Sequence, residues 1–359
     1  MNLQSLAAKH SGKLLSVGDL GYNLQLLRFS GLRRTFYEDL WRKAADATGC
    51  ELTPTGYGYL RVQRGTLVTF VERHRVMLDD HLTLNIMGNK AITHGLLREK
   101  GIRVPQCREF TLRSLGVAEA FLEEHGGPLV VKPVGGTGGG RGVTTSVRSK
   151  GALRRAALLA ARYHPRMLAE EQVEGASYRL LYLDGRFLDA VRRDPPHLTG
   201  DGRKSVRQLI RQENKRRLSE QPVSALSPLR ADADCAFELG AQSLSLSARV
   251  EAGRRFRVKR IPNENVAAEN HNVRGEVHPE LIAMGGKLAG DLGVRFAGLD
   301  VIAQDISALP AEGDIYVNEV NTTPGLHHHY LIAEQERVVP VAEILLNHLF
   351  STEQGVIRL

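Results

Sequence analysis

The sequence predicts an α+β protein, and one helical segment and two strand segments support this prediction. Residues 36–45 repeat apolar side chains with the period of an α-helix. Residues 57–62 and 66–70 alternate as strands do, and Gly65 lies between them, which is typical of a hairpin. Apolar residues make up 42% of the chain, which is enough for a proper core.

The length and the order of these segments predict the domain organisation. A chain of 359 residues is expected to contain roughly two or three modules. We place a small N-terminal α+β pre-domain at 1–85. A basic helical insertion is expected near 197–234. The glycines and aromatic residues of the pre-domain are explained better by turns and core than by a second active site.

Composition argues against several classes of protein. No apolar run approaches the ~20 residues of a membrane span, and the N-terminus lacks the pattern of a secretion signal. Cys50, Cys107 and Cys235 are scattered without metal-ligand spacing, which is typical of reduced thiols. We therefore expect a cytoplasmic protein with no membrane partner. A homo-oligomer is left open.

The net charge of +8 is spread along the chain, and its densest cluster lies at residues 203–217. Val206, Leu209 and Ile210 would share one face of an amphipathic helix there, with a basic outer side. This side could be a solvated face, the rim of a site for an anionic substrate, or a nucleic-acid contact. No arginine–aromatic RNA motif accompanies it, so we do not expect nucleic acid as a partner.

The segment 130–143 points to a nucleotide. An apolar run ends in Lys132, and six of the eight residues from Gly135 to Gly142 are glycine. Glycines let backbone N–H groups approach an anion, and the lysine adds a point charge for phosphate. The loop is not a P-loop, because its lysine precedes the glycines, and it lacks the glycine spacing of a dinucleotide-binding loop. A glycine-rich linker is the alternative, although linkers are polar on both sides.

Three polar residues further along form a candidate metal site. Asp300 lies in a strand-like run, and Glu319 and Asn321 are two residues apart, so that on a strand they face the same side. Oxygen ligands on adjacent strands suit Mg²⁺, which bridges substrate phosphates. The alternative is a polar alternation that faces solvent on an edge strand.

These segments, taken in order, are similar to those of the ATP-grasp carboxylate ligases. Upstream, Met87–Lys90 opens a helix at 91–100 that stops at Gly101. The resemblance implies two α+β subdomains that grip ATP, an N-terminal one at 86–166 with the glycine-rich flap and a C-terminal one at 167–359. It also implies one or two Mg²⁺ ions, or Mn²⁺ in their place, as cofactor. It assigns roles to the following residues: Lys90 and Lys132 on the phosphates, Gly138, Gly139, Gly140, Arg141 and Gly142 in the flap, the backbone of Glu170 and Val173 on adenine, and Asp300, Glu319 and Asn321 on the metal.

Within the ATP-grasp ligases, the chain is most specifically similar to the cyanophycin synthetases. Segments similar to theirs lie at 194–210, 276–280 and 324–329. The likeness runs from about Met87 to Asn347 and covers their glutathione-synthetase-like, ATP-grasp part, without their Mur-ligase-like module. We therefore expect this chain to make only one kind of bond.

Two positions depart from the family pattern. Asn89 stands where aspartate is usual before the first lysine, and Ala267-Ala268 replace a glycine pair. Backbone amides near the alanines would approach an anion less closely. The change bears on the specificity for the acyl donor or acceptor.

The resemblance implies an ATP-dependent ligase that acts on an amino acid or peptide. A carboxylate attacks the γ-phosphate to give an acyl phosphate, and an amine then displaces phosphate to form an amide. Arg179 and Arg193 match family positions and would hold the carboxylate or stabilise the acyl phosphate, with a surface ion pair as the alternative for each. His327 and His329 would share a strand face and contact the substrate, with a zinc site as the alternative.

Two other kinds of function stay open. A carboxylate–thiol ligase or a kinase-like ATP-grasp enzyme would share every ATP-binding residue named above. A non-catalytic nucleotide-binding or nucleic-acid-binding protein would account for the basic charge. The presence together of Lys132, Asp300, Glu319 and Asn321 favours an enzyme.

Overall fold

The computed structural model of the protein describes residues 20–135, 140–310 and 314–359. The strands are β1 (Glu51–Pro54), β2 (Leu60–Arg64), β3 (Leu67–Val71), β4 (Cys107–Phe110), β5 (Leu129–Pro133), β6 (Thr144–Val147), β7 (Met167–Glu171), β8 (Ala176–Leu183), β9 (Arg186–Arg193), β10 (His197–Thr199), β11 (Arg255–Arg257), β12 (Asn270–Asn272), β13 (Phe296–Ala303), β14 (Ile315–Asn321) and β15 (Ile357–Arg358). The helices are α1 (Leu20–Ala47), α2 (His81–Met87), α3 (Lys90–Glu99), α4 (Leu115–His125), α5 (Lys150–Ala161), α6 (Val206–Ser219), α7 (Ala233–Ala241), α8 (Pro279–Asp291), α9 (His327–Tyr330) and α10 (Val341–Thr352). Short 3₁₀ turns lie at Leu112–Ser114, Pro262–Glu264, Ala267–Glu269 and Gln335–Arg337.

The first sheet has the strand order β1-β2-β3-β15. Arg64 pairs with Leu67 across the β2–β3 hairpin, and Gly65 in its turn has a φ of 60°, in the left-handed region that glycine tolerates best. Helix α1 packs on this sheet through Tyr37 and Trp41, together with apolar residues of α10. The helix and the hairpin expected in this region are confirmed.

The second sheet, ordered β4-β7-β5-β6, positions the glycine-rich loop, which connects β5 to β6. Leu129 and Val131 on β5 are fully buried against α4 and α5. Strand β7 pairs with both β4 and β5, although it begins the segment that the sequence assigns to the second subdomain. The subdomain boundaries stay predictions.

The third sheet, ordered β12-β9-β8-β13-β14, carries the candidate metal ligands. Asp300 on β13 lies opposite Arg179 on β8 and opposite Glu319 on β14. Asn321 lies opposite Gly298, two residues further along the same ladder. The register therefore brings the acidic and basic residues of three neighbouring strands together.

Helix α3 begins where the sequence predicts it. The side chain of Asn89 caps it by accepting hydrogen bonds from the backbone N–H groups of Ala91 and Ile92. Asparagine caps as well as the aspartate that is usual at this position, so the departure preserves the start of the helix. The cap leaves Lys90 as the first helical residue, pointing to the third sheet.

The segment between β9 and β12 contains β10, β11, α6 and α7. Helix α6 begins with a capping box of Ser205 and Gln208. Val206, Leu209 and Ile210 are buried in a small separate core, as the helical pattern predicts, and the basic side of α6 is exposed. Within the described parts of the chain, no helix is both long and apolar enough to cross a bilayer.

Candidate active site

A cavity of about 1120 Å³ lies between the second and third sheets. Strands β5 and β7 form one side, and β8, β9, β13 and β14 form the other. Most of the sequence-predicted site residues line it, namely Lys90, Lys132, Gly140, Arg141, Glu170, Val173, Arg179, Arg193, Asp300, Glu319, Asn321 and His327. The two sheets therefore bring together residues that are more than 200 positions apart in the sequence.

Lys90 reaches the cavity from the start of α3. Its Nζ lies 2.9 Å from Oε1 of Glu319 on β14. Burial alone would lower the pKa of Lys90, but the Glu319 carboxylate outweighs this effect and raises the pKa. The same contact lowers the pKa of Glu319 against the effect of its own burial. Both groups are therefore charged at neutral pH.

Lys132 reaches the cavity from β5 and is buried. Its Nζ lies 2.7 Å from one carboxylate oxygen of Glu170 and 2.8 Å from the other, and 3.4 Å from Oδ1 of Asn318. His94 lies behind this group, where its Nε2 lies 2.9 Å from the backbone carbonyl of Asn318. Burial and the positive charge of Lys132 lower the pKa of His94, which keeps its ring neutral.

Asp300 is held by two arginines. Its Oδ1 accepts a hydrogen bond of 2.6 Å from Nε of Arg179, and its Oδ2 accepts one of 2.8 Å from Nη2 of the same residue. Nη2 of Arg193 lies 3.1 Å from Oδ2 and also donates to Oγ of Ser177 at 2.8 Å. Burial would raise the pKa of Asp300, but the two guanidinium groups outweigh it and lower the pKa to about 2. Neither arginine is a surface ion pair, because all three side chains are buried.

The donors of Asp300, Glu319 and Asn321 fit Mg²⁺ chemically. Two carboxylates lie opposite each other on neighbouring strands, and the Asn321 amide lines the same cavity. Nδ2 of Asn321 donates to the Gly298 carbonyl at 3.3 Å, which leaves its Oδ1 as an acceptor. No group of three or more His, Cys, Asp or Glu side chains forms a metal site among the described residues. Two carboxylates that share an ion with substrate phosphates would be a typical Mg²⁺ arrangement.

The glycine-rich loop is described only in part, and Gly138 and Gly139 lie outside the described residues. Gly140 and Arg141 line the cavity. Gly142 has a φ of 76°, and a Cβ on it would lie 2.6 Å from the ring of Tyr163. Both its conformation and its surroundings therefore require glycine.

The predicted adenine hinge begins with β7. Glu170 lies in that strand and Val173 lies just beyond its end, so both line the cavity. Between them, Gln172 accepts a hydrogen bond of 2.7 Å from the backbone N–H of Ser146. This bond ties the hinge to the strand that follows the glycine-rich loop.

The three consecutive histidines form a short helix, α9, and not the strand that the sequence suggests. His327 and His328 line the cavity, whereas His329 points away and is fully buried. His329 Nδ1 lies 2.7 Å from Oδ2 of Asp189. Tyr37 is a partner of His327, with its hydroxyl 2.7 Å from Nδ1.

Two walls of the cavity were missed by the sequence analysis. The first comes from the N-terminal region and consists of Tyr22, Asn23, Leu26, Arg33 and His74. The second comes from the segment between β9 and β12, where Lys259 is buried 3.0 Å from both Asp232 and Glu264. No local motif marks either wall, because each depends on contacts between distant parts of the chain.

Comparisons with known proteins agree with this architecture, although no family model matches the chain. The chain is 26% identical over 334 residues to the cyanophycin synthetase of Trichormus variabilis, a match that covers 89% of this chain and 36% of the relative. It is 24% identical over 344 residues to the glutathione biosynthesis bifunctional protein GshAB of Listeria innocua, covering 94% of this chain and 42% of the relative.

Among solved structures, a bifunctional glutathione synthetase from Pasteurella multocida superposes with a TM-score of 0.50 at 21% identity, covering 84% of this chain and 41% of that one. The chain thus spans about two fifths or less of the length of these relatives. The structural likeness gives this chain the ATP-grasp fold, and its sequence resembles the ATP-grasp part of cyanophycin synthetase.

Proposed function

We propose that this chain is an ATP- and Mg²⁺-dependent ligase that joins a carboxylate to an amine, with an amino acid or a peptide as substrate. One observation carries the proposal. Two lysines, two facing carboxylates and two arginines line a single cavity of the ATP-grasp fold. The sequence similarity to cyanophycin synthetase and to GshAB supports it.

The lysines would bind the phosphates of ATP. Lys90 and Lys132 are both held in the cavity by carboxylates, which keep the ammonium groups oriented. Phosphoryl transfer depends mainly on positioning and charge neutralisation, and these are the properties that fixed cations supply. The glycine-rich loop would cover the phosphates, and the backbone of Glu170 and Val173 would contact adenine.

Asp300, Glu319 and Asn321 would hold Mg²⁺. When bound there, the ion would supply neutralisation of negative charge on the phosphate oxygens. The protein's own contribution is to keep both carboxylates ionised, because Arg179 and Lys90 lower the pKa values of Asp300 and Glu319.

Arg179 and Arg193 would stabilise the carboxylate substrate and the acyl phosphate formed from it. In this role a guanidinium group faces the oxygen atoms on which charge accumulates as ADP leaves. An amine substrate would then attack the acyl carbon, and release of phosphate would complete the amide bond. Of the two predicted substrate histidines, only His327 remains in this proposal, because His329 is buried against Asp189.

The proposal is tested by measuring ADP and phosphate release from Mg-ATP across a panel of amino acids and short peptides, with mass spectrometry of the products. We expect ADP release to require both a carboxylate and an amine and to produce a new amide mass. Omitting either substrate is the control. ADP release that needs a thiol in place of the amine, or phosphate transfer without a condensed product, would contradict the proposal.

A further inference from the structure

Helix α1 supplies a wall of the cavity, and Arg33 on this wall has no role in the proposed chemistry. Arg33 lines the cavity, and its Nη2 donates a hydrogen bond to the backbone carbonyl of Leu226. Its Nε is buried and has no hydrogen-bond partner among the described residues. Its guanidinium carbon lies 5.3 Å from the centre of the Phe29 ring, which holds the group in place.

Among the described residues, Arg33 lacks the carboxylate partner that several other cations of the cavity have. Lys90, Lys132, Arg179 and Lys259 each contact a carboxylate within 3.0 Å. No carboxylate of the described residues pairs with Arg33. Burial lowers its pKa, and the nearby positive charge of Arg73 lowers it further. A partly buried guanidinium in this position would gain from an anion, because its positive charge has lost water without a compensating partner.

Two histidines, His74 and His327, lie near Arg33, and the ring of a third, His328, lies 4.3 Å from that of His327. His74, His327 and His328 all line the cavity. Burial lowers the pKa of His74 to about 4, and the pKa of His327 lies well below its usual value, with Arg33 contributing to both shifts. His328 is buried, and its Nδ1 has no hydrogen-bond partner among the described residues. Neutral imidazoles each offer one N–H donor, so this end of the cavity combines donors with an uncompensated positive charge.

We propose that Arg33, together with the neighbouring N–H donors of His74 and His327, forms a pocket for a carboxylate group of the substrate, namely one that is not consumed in the reaction. The inference rests on the proposed ligase function and deepens it, because it predicts that at least one substrate carries a spare carboxylate. Two sources share this chemistry. The group could be the α-carboxylate of the amine substrate or a second carboxylate of the acid substrate. In either case the guanidinium fork matches a carboxylate in shape and charge.

The test measures binding by calorimetry, in the presence of Mg²⁺ and a non-hydrolysable ATP analogue. Wild type, Arg33→Gln and Arg33→Lys are titrated with the common amino acids and a set of dipeptides. Each ligand that binds is then replaced by analogues in which one carboxylate at a time is a carboxamide. The matched control is Arg34→Gln, since Arg34 is the neighbouring residue but is exposed and pairs with Glu38 at 3.6 Å.

We expect Arg33→Gln to weaken binding of the carboxylate ligand by about 10- to 100-fold, the usual range for a hydrogen bond to a charged group. The matching carboxamide should bind wild type and Arg33→Gln equally, and Arg34→Gln should behave as wild type. The source is identified by which carboxylate, when replaced by a carboxamide, abolishes the difference between wild type and Arg33→Gln: one on the amine substrate or one on the acid substrate. If Arg33→Gln does not fold, Arg33→Lys is decisive, because it keeps the charge and loses the fork.

Three results would overturn the proposed pocket. The first is that wild type binds none of the carboxylate ligands, and the second is that wild type and the folded Arg33 variant bind a carboxylate ligand with equal affinity. The third is that wild type binds the acid and all its carboxamides with equal affinity. The ligase proposal is judged separately by ADP release. Release with unchanged ligand affinity in the Arg33 variant would reject the pocket alone, whereas Arg33-dependent binding without release would reject the ligase alone.

Discussion

Substitution of Asp300 should lower the stability of the protein even in the absence of ATP. The Asp300 carboxylate accepts hydrogen bonds from Arg179 at 2.6 and 2.8 Å and contacts Arg193 at 3.1 Å. All three side chains are buried. Asp300→Asn keeps the shape of the side chain but removes its charge, so that two buried guanidinium groups lose the counter-ion they share.

The size of the effect can be bounded in two ways. Removal of one partner of a buried ion pair costs about 3–5 kcal/mol. The pKa of Asp300 falls from 3.8 to about 2, and this corresponds to about 2 kcal/mol in favour of the ionised folded state. The second figure is the smaller because it excludes the cost of leaving the arginines unpaired. For a large domain these energies lower the melting temperature by roughly 5–20 °C.

The same shift fixes the pH dependence of the wild type. The pKa of Asp300 is lower in the folded protein than in the unfolded chain, so its stabilisation is present above pH 3.8. The stabilisation is lost as the pH falls from 3.8 towards 2. Acid should therefore remove from the wild type the stabilisation by ionised Asp300 that the Asp300→Asn variant already lacks at neutral pH.

Thermal unfolding followed by circular dichroism at pH 7, without nucleotide, measures this loss. Asp305→Asn is the matched control, because Asp305 lies shortly after the same strand but is exposed. Its carboxylate accepts hydrogen bonds only from the nearby Ser307 among the described residues. The control should melt with the wild type. If Asp300→Asn melts within about 2 °C of the wild type, Asp300 does not neutralise a buried pair of arginines and the reasoning is wrong. If it melts lower as expected, its activity must be assayed below its own melting temperature.

Three further changes test other parts of the site. Glu319→Gln should reduce ADP release by on the order of 100-fold, and normal release would remove Glu319 from the metal site. Its ATP-free melting temperature should fall less than that of Asp300→Asn, because the Lys90–Glu319 pair is partly exposed. Gly142→Ala should lower stability by about 1–3 kcal/mol, because Gly142 has a φ of 76° and the ring of Tyr163 leaves no room for a Cβ. The control Gly31→Ala, within α1, should stabilise the protein by about 0.5–1 kcal/mol. Equal melting temperatures of the two variants would contradict this reasoning. Asp234→Asn should raise stability at pH 8 by roughly 3 kcal/mol and leave it unchanged at pH 4. The reason is that burial raises the pKa of Asp234 to about 6, so that the native state loses stability as the pH rises from 3.8 through 6. A gain that is the same at both pH values would argue against a buried, ionised Asp234.

The residues that meet ATP-grasp expectations could be found from the sequence because each lies in a local pattern. Lys90 follows a helix cap, Lys132 ends an apolar strand, and Glu319 and Asn321 have the spacing of one strand face. Such patterns can be recognised without knowledge of the tertiary structure, because the period of a helix or strand fixes which side chains share a face.

The rest of the site depends on contacts that no local pattern encodes. Arg33 and His74 reach the cavity only because α1 and the first sheet pack beside it. The joint hold of Arg179 and Arg193 on Asp300 depends on the order of strands in the third sheet. The histidines were expected on a strand, but the backbone forms a helical turn there, and His329 turns towards Asp189.

The short pairing of β15 with β3 bears on how the chain folds during synthesis. About 290 residues separate β3 from β15, and at roughly 5–20 residues per second the ribosome needs about 15–60 s to make them. For that time the first sheet lacks an edge strand, and Trp41 lacks the α10 residues that cover it. The first sheet is therefore completed only after β15 has been made, long after the strands β1 to β3 that it joins. Until β15 and α10 emerge, a nascent chain would expose that apolar surface to chaperones.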